Sequence, residues 1–134
     1  MRIRLALACT LAALALLAFA GLAGAADGGR PLAATVTGAE GSGTAAVTLN
    51  PGREEVCYTI DSTGLVNVTA AHIHVHPSGA VVVPTPVNAS GDGSGCVHLA
   101  RATILAILHN PGGYYVNVHT ATSPAGAISG DLTR

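Results

Sequence analysis

The densest chemistry in this chain lies in Ala71-His72-Ile73-His74-Val75-His76, three imidazoles on alternate residues. On an extended strand all three project from one face, while Ile73 and Val75 project from the other. A second stretch, Tyr114-Tyr115-Val116-Asn117-Val118-His119, repeats the pattern, with Val116 and Val118 on one side and Tyr115, Asn117 and His119 on the other. Four of the six histidines of a weakly charged protein therefore belong to one polar face. Imidazole is a good ligand for copper and zinc. Alternate strand residues stand about 7 Å apart at the backbone, close enough to share one ion through bonds of ~2 Å. His72, His74 and His119 are the first candidate ligands, with His76 or His98 as a fourth, and copper or zinc is the cofactor such a set implies. A blander reading fits the same residues. His72 and His119 would be buried hydrogen-bonding groups that tie strands together, satisfied by nearby backbone or by Asn117, and His74 and His76 would be solvated. The residues alone leave both readings open.

Other chemistry has little to stand on. No aspartate falls within the histidine segments, and the only arginine after His119 is the terminal Arg134, so a redox enzyme that guides an anion lacks its supporting groups. The expectation is that this is not an enzyme. The serines lie in turns without a Gly-x-Ser-x-Gly frame, and Gly91-Asp92-Gly93-Ser94-Gly95 lacks the lysine of a phosphate loop. Three tyrosines and no tryptophan offer only a thin stacking surface for a carbohydrate. Asn67-Val68-Thr69 and Asn88-Ala89-Ser90 match glycosylation acceptors, which matters only in a host with that machinery.

The elements that must position these groups follow a secretory start. Arg2 and Arg4, an apolar run over residues 5–22 and Ala23-Gly24-Ala25 read as a signal peptide over residues 1–25, with a mature domain over 26–134. Nothing downstream is long and apolar enough to span a bilayer, so no stable membrane anchor is expected after cleavage. The mature part is the size of one domain. It carries four arginines, no lysine and seven carboxylates, a net charge of −3 with histidines neutral. That balance excludes a nucleic-acid partner, which needs a basic patch. Cys57 and Cys96 are the only cysteines past the leader, and an exported chain would join them in a disulfide. The expected location is secreted or periplasmic, with an unidentified ligand there as partner.

Short β-prone runs separated by turn signals give an all-β fold, an antiparallel β-sandwich or Greek-key barrel. Runs at 44–49 and 54–60 flank Asn50-Pro51-Gly52-Arg53 as a hairpin, and residues 88–95 read as a glycine-rich turn. Residues 101–109 form the one short helix, with Ile104, Leu105 and Leu108 as its apolar face and Asn110-Pro111-Gly112 as its stop.

Ala71-His72-Ile73-His74, the Val run, the short helix, Tyr115-Val116-Asn117-Val118-His119-Thr120 and the ending Pro124-x-Gly126-x-Ile128-x-Gly130-x-Leu132 together resemble the CHRD domain. That family is named for chordin and occurs widely in microbial secreted proteins. The resemblance spans residues 32–132 and implies an extracellular binding or structural module of unestablished activity. Where the family commonly ends Gly-Glu-Ile-Arg-Gly, this chain has Gly126-Ala127-Ile128-Ser129-Gly130, so only the glycines and apolar positions carry over. The bone morphogenetic protein antagonism of chordin is not implied, because the cysteine-rich modules that accompany it are missing from this sequence. A weaker similarity links the His-x-His strand and the later Val-His strand to copper/zinc superoxide dismutases, where imidazoles from two such strands share one copper. His72, His74 and His119 occupy the matching positions.

Overall fold

The computed structural model describes residues 29–134, so the expected signal peptide lies outside the described residues. Eight strands and one α-helix follow in chain order: β1 (Arg30–Thr37), β2 (Ser42–Asn50), β3 (Glu55–Thr63), β4 (Val68–Val75), β5 (Ala80–Pro84), β6 (Gly93–His98), α1 (Arg101–His109), β7 (Tyr114–Thr120) and β8 (Ile128–Asp131). The strands build one antiparallel sheet in the order β5-β4-β7-β8-β1-β2-β3-β6. Of the two expected architectures this is the barrel-like one, since a single sheet curls upon itself and no second sheet packs across it.

Period-2 patterning makes the curl possible. In β1, Leu32, Ala34 and Val36 are buried while their neighbours are exposed, and β2 and β3 continue the inner face with Ala45, Val47, Val56, Tyr58 and Ile60. Val116 and Val118 of β7 and Ile73 of β4 are wholly buried on the same inner side. Segment 85–92, expected to be in part a glycine-rich turn, closes the gap between the sheet's two edges. On one side Thr85 N–H donates to Ala71 O and Ala89 O accepts from Val68 N–H. On the other, Tyr58 Oη–H donates to Pro86 O over 2.8 Å, and Asp92 Oδ1 accepts from Ser62 N–H over 2.7 Å. The sheet is thus sealed by hydrogen bonds from a connection rather than by pairing of its edge strands.

Helix α1 spans the expected residues, yet its buried face differs. Ile104, Ile107 and Leu108 are buried, whereas Leu105 is 44 % exposed. Ile104, Ile107 and Leu108 follow i, i+3, i+4 spacing, which is the helical stripe, while Leu105 stands about 100° away from Ile104. Arg101 Nη1 donates to Pro51 O in the β2–β3 turn and Arg134 Nη2 donates to Leu108 O, so the helix is latched at both ends. Among the described residues, no helix is long and apolar enough to cross a membrane.

Cys57 and Cys96 face each other in the β3–β6 ladder and are joined, with α-carbons 3.9 Å apart. Their sulfurs are committed to one another, which removes the nearby set Glu55, Cys57 and Cys96 as a metal site.

Candidate metal centre

Pairing of β4 with β7 places His72 opposite Asn117, His74 opposite Tyr115 and Ala70 opposite His119. The three histidines therefore share the outer face of two adjacent strands, over the wholly buried Ile73, Val116 and Val118. His72 Nδ1 lies 3.3 Å from His119 Nε2, and His74 Nε2 lies 3.3 Å from the same atom. One ligand atom from each ring falls within 4.8 Å of the others. The cleft they open into, of about 260 Å³, is completed by Thr69, Ala70, Val81 and Pro124.

Two of the rings are fixed from behind. His74 Nδ1 lies 2.8 Å from Gly79 O in the β4–β5 turn, and His119 Nδ1 lies 3.0 Å from Pro124 O in the β7–β8 loop. A carbonyl oxygen only accepts, so each Nδ1 must carry the hydrogen. In the neutral ring the hydrogen then leaves Nε2 as a bare lone pair. Both lone pairs point at one place, where His72 Nδ1 also arrives. A single hydrogen on His72 could satisfy one of the facing nitrogens but not both.

The loop that orients His119 is itself anchored. Asn117 Nδ2 donates to Ala125 O, Thr120 Oγ1 donates to Glu40 Oε2, and Ser123 N–H donates to Thr120 Oγ1. Gly126 has a φ of +134°, and a β-carbon there would stand 2.2 Å from Asn117 Oδ1. Gly130 is equally constrained, because a β-carbon would meet Thr35 O on β1 at 2.0 Å. These contacts explain why positions 126 and 130 of the ending read from the sequence require glycine. Gly126→Ala is expected to displace the loop and its Pro124 carbonyl. The Nδ1 hydrogen of His119 would then lose its acceptor, and its nitrogen–proton correlation in the folded variant should shift; an unchanged correlation would mean that the loop does not orient His119.

The remaining candidates lie elsewhere. His76 falls beyond the end of β4, and its Nε2 meets Asp131 Oδ1 at 2.9 Å. Tyr115 stacks between His74 and His76, with ring centroids 5.2 and 4.3 Å away, and so partitions His76 from the cluster. His98, on β6, is exposed with only Glu54 at 4.0 Å. The expectation that His74 is solvated is overturned: it is 5 % exposed, packed under Tyr115 and tied to Gly79, and is the most buried of the three. His72 and His119 are half-buried. Asn117 does not serve the imidazoles, since its amide is turned to Ala125. The residues that sequence reasoning missed are Gly79 and Pro124, whose carbonyls accept from the rings and orient them, each five positions after the histidine it holds. The Pro- and Gly-containing turns that follow both histidine strands were the available signal.

Burial pushes the His72 imidazole below its ordinary value, helped by His119 and His74 as like charges when protonated. Burial also lowers His119, opposed by its bond to Pro124 and aided by His74. As pH falls, the unfolded chain takes up protons before these folded rings do. Their contribution to stability is therefore complete above the ordinary imidazole value of about 6.5 and is lost as pH drops from there through the lowered folded values. The urea midpoint of metal-free protein should be lower near about pH 5 than near about pH 7.5, and His72→Ala should flatten that difference. An unchanged slope would contradict the assignment to this cluster.

The CHRD-domain family model matches residues 19–132. This chain belongs to the CHRD-domain family. The match enters the apolar stretch at residue 19, ahead of the mature start expected near residue 26, and runs through β8. No curated protein and no solved structure matches the chain. As a CHRD domain it is an antiparallel, barrel-like module with a disulfide and a histidine cluster on its outer face.

Proposed function

We propose that this CHRD domain is an exported metal-binding module that holds one copper or zinc ion through His72 Nδ1, His74 Nε2 and His119 Nε2. The observation that carries this reading is the convergence of two rings whose hydrogens are spent on Gly79 O and Pro124 O, leaving their bare Nε2 atoms 3.3 Å apart. Facing lone pairs repel unless something positive lies between them. Tetrahedral ligands at ~2.0 Å from a common ion stand about 3.3 Å apart, so the spacing already suits coordination. A ring that donates its second nitrogen to a backbone carbonyl is also the usual outer-shell arrangement of a metal-bound histidine. An all-imidazole set suits both ions, with copper(II) the tighter binder at equal availability.

The role proposed is binding rather than catalysis. The residues lining the cleft include no carboxylate to act as a base and no arginine to attract an anion, so superoxide chemistry is not part of the proposal. Export is supported by the N-terminal apolar run and by the Cys57–Cys96 disulfide. Equilibrium dialysis of the mature protein against copper or zinc tests the reading. About one ion per chain is expected in the wild type and in His76→Ala, and none in His74→Ala. A competing view, that the three rings only brace the strands, is favoured by the depth of His74. It predicts a wild-type protein that retains no ion and loses stability alone on substitution.

A further inference from the structure

A second cleft, which shares no residue with the His72–His74–His119 cleft, gathers positive charge. Of the four arginines in the expected mature chain, Arg30, Arg101 and Arg134 line one cleft of about 360 Å³, together with Pro51, Leu105, Leu108 and His109. Arg30 opens β1, Arg101 opens α1 and Arg134 follows β8, so only the tertiary structure brings them together. The net negative charge of the mature part gives no hint of this clustering, which depends on the tertiary structure.

We infer that this cleft is a binding site for a multivalent oxyanion of the phosphate or sulfate type. Three like charges on one cleft repel, and a domain with a net charge of −3 has carboxylates enough to pair them. Among the described residues none does: the Arg53–Glu55 pair is outside the cleft, and no carboxylate ion-pairs with Arg30, Arg101 or Arg134. Glu54 stands near, but its Oε1 accepts from the main-chain N–H of Arg101 rather than from the guanidinium. Two of the guanidiniums are also held in place. Arg101 Nη1 donates to Pro51 O at 3.0 Å and Arg134 Nη2 to Leu108 O at 2.6 Å, each spending one of five N–H donors. Neutral carbonyls orient these groups without cancelling their charge. The remaining donors suit an acceptor with several oxygens, because the planar guanidinium matches such oxygens in pairs. Leu105, on the same rim, gives an apolar wall. Three guanidiniums are too few to track a nucleic-acid backbone, which takes a longer basic stripe.

The test is titration of the mature, metal-free protein with inorganic tripolyphosphate and, separately, dextran sulfate, followed by amide chemical shifts. Saturable shifts confined to residues around Pro51, Arg101, Leu105 and Arg134 are expected. Tighter binding of tripolyphosphate assigns the site to a free oxyanion, and tighter binding of dextran sulfate assigns it to groups on an anionic polymer. Arg30→Gln removes a side chain with no hydrogen bond among the described residues, so it is expected to leave the fold intact. With Arg101→Lys added, which keeps the charge but not the fork, affinity should fall at least about tenfold, whereas Arg53→Gln should change it less than about twofold. Scattered, non-saturating shifts with both probes, or equal loss in the Arg53→Gln control, would overturn the inference. The metal reading is untouched by either result, since none of these residues borders the histidine cleft.

Discussion

His119→Ala is expected to lower copper or zinc affinity by at least about two orders of magnitude while the barrel stays folded. The ring supplies the nitrogen common to both short contacts, 3.3 Å to His72 and 3.3 Å to His74, so its loss leaves two donors that no third joins. It stands on the outer face of β7, and its removal opens no cavity among the inner residues Val116, Val118 and Ile73. His72→Ala should cost less than His119→Ala, because His72 has no backbone carbonyl holding its second nitrogen and is less preorganised. Chelator competition with fluorescent or calorimetric readout separates the two. Equal and small losses would mean that neither ring ligates, whereas unfolding of both variants would support the bracing role.

The second large effect concerns the disulfide. Replacing Cys57 and Cys96 together by alanine should destabilise the domain by about 4 kcal/mol, since the bond closes a loop of about 40 residues in the unfolded chain. For a domain of this length that corresponds to a fall of roughly 15–20 °C in the unfolding temperature. The location sharpens the expectation. Strand β6 is an edge strand with no fully buried residue, and only Val97 packs partly against the core, so burial alone holds it weakly. Without the bond, β6 should also exchange its amide hydrogens ahead of β1 and β2. Thermal unfolding followed by circular dichroism measures the first effect. A fall of less than about 3 °C would show that ladder pairing, rather than the crosslink, secures this edge.

Much of this arrangement was legible from local pattern. The C-terminal end of α1 was marked by Asn110-Pro111-Gly112, and the shared face of β4 and β7 by alternation of histidines with Ile73, Val116 and Val118. What remained hidden depends on contacts between segments distant in the chain. Leu105 looked like a helix-core residue because it is apolar, yet only the packing of α1 on the barrel decides that Ile107 takes that place. Sandwich and barrel share the same strand pattern, and the difference lies in segment 85–92 bonding to β3 and β4 together. His76 continued the alternation in sequence, but β4 ends at Val75 and Tyr115 stands between it and His74. The tethers on His74 and His119 were invisible for a simpler reason. A main-chain carbonyl has no residue type, so only the path of a turn reveals where it points.

A shared ion at this cluster depends on which imidazole nitrogens carry hydrogen, and long-range nitrogen–proton correlation spectra of the metal-free domain near neutral pH read it. Hydrogen on Nδ1 and none on Nε2 is predicted for both His74 and His119. One equivalent of zinc should then shift both Nε2 resonances and His72 Nδ1 together while leaving His76 unmoved. Hydrogen found on Nε2 of either tethered ring, or zinc that moves His76 and spares His119, would contradict the account.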